Sequence, residues 1–153
     1  ATSALTWQET EAAARALGVQ LLVQEAREVG DLEGAFAAMK RGGVAAVILL
    51  PDAMFYAQRR RIADLALKHR LPVMSPFRDF VEAGGLMAYG ADIGDLIRRS
   101  ATYVDKILKG AKPGDLPVEQ PTKFELVVNA RTARALGLAI PPSVRLQADR
   151  IVE

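Results

Sequence analysis

The sequence contains no cysteine. That excludes disulfides, thiolate catalysis and cysteine-based zinc sites together. Its one histidine, His69, excludes a histidine-rich metal centre. In "LALKHRLPV" that residue falls in the last turn of a helical pattern, where a polar or cationic side chain suits the helix dipole. Neither GxGxxG nor GxxxxGK[ST] occurs, so no nucleotide-binding loop is expected. No apolar run approaches the roughly 20 residues of a membrane span, and no signal peptide is present, so any export signal is expected outside this stretch of chain. No Ser-His-Asp set is credible with a single histidine at a helix end, and no cofactor or metal site is expected. Net charge is also scarce. Twenty basic residues against eighteen acidic ones leave only +2, which is no nucleic-acid signature although the pI is about 9.1. The cluster Arg59-Arg60-Arg61 lies in a helical pattern without flanking aromatic or glycine-rich elements, and reads as a solvated face.

What is present is a chain of 153 residues, half of them hydrophobic, enough for one domain with a real core. "LTWQETEAAARALG" predicts a helix stopped at Gly18. "VQLLVQEAR" follows as a strand. "DLEGAFAAMKRGG" predicts a helix with Asp31 as N-cap and with Leu32, Ala35, Phe36 and Met39 on one face. "VAAVILL" is a second strand, apolar enough to predict burial on both faces. "AMFYAQRRRIADLALKH" predicts a helix and "LPVMSPF" a third strand. The alternation predicts an α/β fold with a Rossmann-like parallel sheet flanked by helices.

Right-handed crossovers would then gather the carboxyl ends of the strands on one rim, where open α/β sheets bind ligands. Asp52 follows the second strand, and Ser75, Phe77 and Arg78 follow the third. Further along, "GGLMAYG" is extended and "DIGDLIRRSATYVDKILKG" is a strongly amphipathic helix. Its stripe runs Ile93, Leu96, Ile97, Ala101, Val104, Ile107 and Leu108. After the turn-rich "AKPGDLP", "VEQPTKFELVVN" is extended, with Pro121 keeping its first half out of a central strand. "NARTARALGL" is a short helix that Asn129 can cap, and "AIPPSVRLQADRIVE" opens with another short helical turn.

The candidate binding set is Asp52, Phe55, Ser75, Phe77, Arg78, Tyr89 and Gln120. It mixes aromatic walls with a few polar groups, as a small-molecule pocket does. Asp52 can receive a ligand ammonium and Arg78 can pair with a ligand carboxylate. The same residues also have plain structural roles: Asp52 as a helix cap, and Phe55, Phe77 and Phe80 as loop anchors. Asp52 after one strand and Ser75 after the next also fit a phosphoacceptor, receiver-like signalling domain with Asp52 as acceptor. That chemistry needs acidic Mg²⁺ ligands after the first strand and a lysine after the last. The sequence opens in a helical pattern and its last extended run ends at Asn129, so neither is expected.

The second half carries a longer signal. "RRSATYVDKILKGAKPGDLPVEQPTKFELVVNARTARALGLAIPPSVRLQAD", preceded by "RRRIADLALKHRLPVMSPFRDFVEAGGLMAYG", closely resembles the solute-binding proteins of bacterial ABC transporters, in the branch related to tryptophan- and tyrosine-binding proteins. The resemblance covers essentially the whole chain. It implies a type I periplasmic-binding fold, in which two lobes close on a small organic solute, an amino acid and preferably an aromatic one. It also implies delivery to a membrane permease, a periplasmic or lipid-anchored extracellular location, and no catalysis. Compared with that family, the chain looks like a fragment. Residues 1–90 resemble an incomplete second lobe. Residues 91–117 resemble a crossover helix and linker that pack on a first lobe, and 118–153 a hinge strand with C-terminal helices. A stripe left without that lobe predicts a homo-oligomer through the helix 92–109.

Overall fold

The computed structural model describes residues 4–153. The first helix, α1 (Ala4–Leu17), stops as expected where Gly18 takes a left-handed φ of +66°. The segment after it departs from expectation. Residues 19–27 join no ladder, and Val19, Leu22 and Val23 stay exposed. Strand propensity alone does not make a strand; its N–H and C=O groups need a neighbour, and the described residues supply none here.

Helix α2 (Asp31–Arg41) buries the expected face of Leu32, Ala35, Phe36 and Met39. Asp31 is its first residue rather than its N-cap. The Asp31 carboxylate instead accepts the backbone N–H groups of Arg27 at 2.8 Å and Glu28 at 3.0 Å. These bonds hold its pKa below the ordinary carboxylate range. They also fasten the turn that leads into the helix.

Strand β1 (Val47–Ile48) is the ordered part of "VAAVILL". It is an edge strand, not a central one, and Ile48 is 58% exposed. The expected burial on both faces is therefore wrong, because only β2 (Val73–Ser75) flanks it. Between them the chain forms two helices where one was expected: α3 (Ala53–Ala57) and α4 (Arg59–His69), meeting at Gln58. Ile62, Ala63, Leu65 and Ala66 of α4 are buried and join Leu32, Phe36, Leu71, Val73 and Phe80 in the main core. His69 sits at the end of α4, 3.3 Å from Glu33 of α2, which also holds Lys68 at 2.7 Å. The lysine, then the histidine, lowers the Glu33 pKa.

A short helix α5 (Asp79–Glu82) leads to β3 (Met87–Ala91), and α6 (Ile93–Leu108) follows. Strand β4 (Phe124–Asn129) runs antiparallel to β3, and β5 (Arg150–Val152) pairs parallel with β4. The sheet order is β1-β2-β3-β4-β5, parallel everywhere except at the β3–β4 join. Between β4 and β5 lie α7 (Ala130–Leu136) and α8 (Pro142–Gln147). Asn129 caps α7 as expected, accepting from Thr132 N at 3.0 Å. Strand β5 was not anticipated by the sequence reading. Among the described residues no helix is long and apolar enough to cross a membrane.

Two local devices fix the rim. A Cβ on Gly90 would lie 2.1 Å from the Pro76 carbonyl oxygen, so the backbone leaving β2 rests directly on β3. Asp92, 7% exposed, caps α6 by accepting from Asp95 N at 3.0 Å. It also pairs with Lys123 Nζ at 2.9 Å. The lysine bond first, then the cap bond, lowers the Asp92 pKa, and Asp92 in turn raises that of Lys123.

Gly90→Ala is expected to cost about 1–3 kcal/mol, because rigid backbone must move to admit the methyl group. Gly34→Ala is the control. It lies in α2 with open space around it, and should gain about 0.5–1 kcal/mol from the helix preference of alanine. Chemical denaturation of both variants checks this; a neutral Gly90→Ala would refute the close packing.

A second expectation concerns acid. A folded pKa below the unfolded one stabilises at neutral pH, and that stability is lost as pH falls through the folded value. Wild type should therefore exceed Asp92→Asn in denaturation midpoint at pH 7, and the gap should close as pH drops below about 3.9, the ordinary aspartate value. A gap that is unchanged in acid would remove Asp92 from this role.

Candidate functional site

Asp52 ends the apolar run at β1 and opens α3. Its Oδ1 accepts from Met54 N at 2.7 Å and from Phe55 N at 3.4 Å, so the carboxylate is a helix cap. At the end of β2, Ser75 is buried and its hydroxyl accepts from Phe77 N at 3.2 Å. That bond bends the chain into the rim loop. Because β1 and β2 are parallel neighbours, the two loops emerge side by side. Asp52, Phe55, Ser75 and Phe77 line one small pocket between them.

Above that pocket an open cavity of about 710 Å³ extends from the two loops to the start of α6. Asp52, Phe77 and Arg78 line it together with Tyr56, Asp79 and Glu125. Thus five of the seven residues expected from the sequence come together on one rim. Tyr89 and Gln120 line neither space. Tyr89 stacks on Phe124 with ring centroids 6.0 Å apart. Gln120 belongs to a separate groove between α6 and residues 113–120. There the Tyr103 hydroxyl donates to the Pro117 carbonyl at 2.8 Å and Arg99 pairs with Glu119.

Three rim residues escaped the sequence reading. Tyr56 donates its hydroxyl to Asp79 Oδ2 at 2.5 Å. Its ring meets Phe77 edge to face at 5.2 Å, and the Arg59 guanidinium lies 5.0 Å from its centroid. The Asp79 carboxylate holds the phenol proton in place and raises the Tyr56 pKa. Glu125 lies opposite Gly90 in the β3–β4 register and faces Arg78 at 3.7 Å. Arg78 therefore already has a carboxylate partner within the chain. The available signals were the aromatic pair Phe55-Tyr56 directly after a strand end, and the acid Glu125 inside an otherwise apolar strand.

The arrangement suits holding a small molecule. A fixed aromatic wall, Tyr56 against Phe77, stands beside a few charged groups at the carboxyl ends of parallel strands. Among the described residues no three of His, Cys, Asp and Glu come together to hold a metal. The acidic partners that a phosphoacceptor Asp52 would need for Mg²⁺ are thus absent from its surroundings.

Away from the rim, α6 shows its stripe to solvent. Ile93, Ile97, Val104, Ile107 and Leu108 are all exposed, Leu108 at 82%, and no residue of the helix is buried.

Comparison with known proteins agrees with this geometry. A conserved domain protein from Vibrio cholerae superposes with a TM-score of 0.85 at 27% identity, over 97% of this chain and 50% of that one. An ABC domain in complex with L-Trp from Streptococcus pneumonia superposes with a TM-score of 0.86 at 24% identity, over 97% of this chain and 51% of its own. At that identity the second likeness speaks for the fold alone. The tyrosine-binding protein of Clostridioides difficile is 24% identical over 106 residues, 69% of this chain and 29% of its own length. The chain thus spans about half the length of the solved structures it matches, and less of the curated relative. A family model described as ABC transporter substrate binding protein matches residues 1–152, and the chain belongs to that family.

Proposed function

We propose that the chain is the second lobe of a solute receptor for an ABC uptake transporter, and that the rim cavity is its half of the solute cleft. The observation that carries this is the cavity itself, at the carboxyl ends of β1 and β2 and walled by Tyr56 and Phe77. The solute is a small organic molecule, with an aromatic amino acid favoured. Support comes from the aromatic wall and from the names of the relatives, one tyrosine-binding and one bound to L-Trp. Asp52, Phe55, Ser75, Phe77 and Arg78 are the proposed contacts on the rim. Tyr89 and Gln120 join only if a second lobe brings ligand over them. The role is binding without catalysis, with a membrane permease as downstream partner, in the periplasm or anchored by lipid outside the cell.

In a protein of the relatives' length, residues 1–90 form the second lobe and 91–117 reach across to another lobe. Residues 118–153 then supply a hinge strand and C-terminal helices. For this chain alone we propose that a second copy covers α6. Burying one Leu or Ile side chain is worth about 1.5–3 kcal/mol, so five exposed apolar residues on one helix favour self-association. Ile97, Val104 and Leu108 would lie in a two-fold interface.

Ligand binding should raise the thermal midpoint progressively with concentration of L-tryptophan or L-tyrosine. Phe77→Ala should weaken that binding about tenfold, a loss of about 1.4 kcal/mol. Asp52→Ala should also weaken it, and Asp52→Asn separates the two roles, because Asn still caps α3. Binding restored in the Asn variant would assign Asp52 to capping alone. A midpoint that is indifferent to every amino acid would contradict the function.

Light scattering tests the second claim. A mass near 33 kDa, about twice that of the chain, is expected, falling toward the monomer in Leu108→Glu. A monodisperse 16.5 kDa species at micromolar concentration would contradict it.

A further inference from the structure

We infer that this lobe receives the cationic end of the solute: an ammonium, or a cation of similar size, attached to a flat apolar body. The inference rests on the reading of the rim cavity as the solute site and adds the orientation and charge class of what enters it.

Four ionisable side chains line the cavity: Asp52, Arg78, Asp79 and Glu125. Three are acids. The one guanidinium, Arg78, is engaged by Glu125 at 3.7 Å, so that pair is neutral as a unit. A solute carboxylate would have to displace Glu125, whose side chain is only 19% exposed. Removing one partner of a desolvated pair leaves the other charge uncompensated.

The backbone offers an anion little more. Both loops open short helices, whose first N–H groups might otherwise hold an anion. Met54 N and Phe55 N are already given to Asp52. Phe80 N and Val81 N are given to the carbonyls of Phe77 and Arg78.

What remains is the charge of Asp52 and Asp79, both bound to elements beside Tyr56. Asp79 accepts the Tyr56 hydroxyl through Oδ2, which leaves Oδ1 to accept from a ligand ammonium. The bond sets Asp79 at the edge of the aromatic wall. A ligand ring lying along Tyr56 and Phe77 would place a short alkylammonium arm within its reach. Arg59 is the nearest opposing charge. It bonds the Tyr56 carbonyl at 3.1 Å and lines the smaller pocket below, not this cavity.

Three indole compounds test the inference, with binding followed by amide shifts of the labelled chain. Tryptamine carries only the cation, indole-3-propionate only the anion, and L-tryptophan both. Tryptamine should bind at least fivefold more tightly than indole-3-propionate, with the preference shrinking as salt is raised. The chain's net charge of +2 works against that order, so non-specific attraction cannot produce it. Asp79→Asn keeps an acceptor for Tyr56 and should weaken tryptamine at least threefold while leaving indole-3-propionate unchanged. Equal or tighter binding of indole-3-propionate would overturn the inference and leave the cavity as the solute site. Failure of all three compounds to shift the rim amides would overturn the aromatic-solute reading and the inference with it.

Discussion

The rim depends on one close approach, the Pro76 carbonyl against Gly90. With any larger residue at 90, the chain leaving β2 would have to rise off β3. Because it lies flat, Phe77, Arg78 and Asp79 emerge at fixed positions. The same Gly90 stands opposite Glu125 in the β3–β4 ladder, which puts a carboxylate next to Arg78. Asp79 then reaches Tyr56, whose helix is started by Asp52. Four segments distant in sequence thus share one surface because a single backbone contact has no room for a side chain. Such preorganised geometry lowers the ordering cost of binding.

Much of the architecture could be read from the sequence, and the reasons for the exceptions are physical. The buried face of α2, the caps at Gly18 and Asn129, and the third strand were legible because they depend on local periodicity and turn chemistry. The strand at 19–27 and the two-sided burial of "VAAVILL" were not, because a strand is completed by neighbours that its own residues do not specify. The antiparallel return of β4 and the late strand β5 were invisible for the same reason. On the rim, Asp52, Phe55, Ser75, Phe77 and Arg78 were found by a topological rule about strand ends. Tyr56, Asp79 and Glu125 were missed because their importance lies in pairings across 23 to 47 positions. Tyr89 and Gln120 were grouped with the rim by residue type, and the fold carries them elsewhere.

Two surfaces of different character result. The rim is polar and aromatic, with its side chains tied to one another. The α6 stripe is apolar and tied to nothing beneath it, the helix being anchored at its start by Asp92 and Lys123 and along its side by Arg99 and Tyr103. A lobe that binds solute on one surface and docks on another needs this division: the rim must stay open to small molecules, whereas the stripe gains by being covered.

The central claim is that the solute site lies on the rim formed by the loops after β1 and β2. Mapping backbone amide shifts of the labelled chain during an L-tryptophan titration tests it most directly. The account predicts saturable shifts confined to residues 52–56, 77–80 and the first turn of α6. Shifts concentrated instead in the groove between Tyr103 and Pro117 would contradict it.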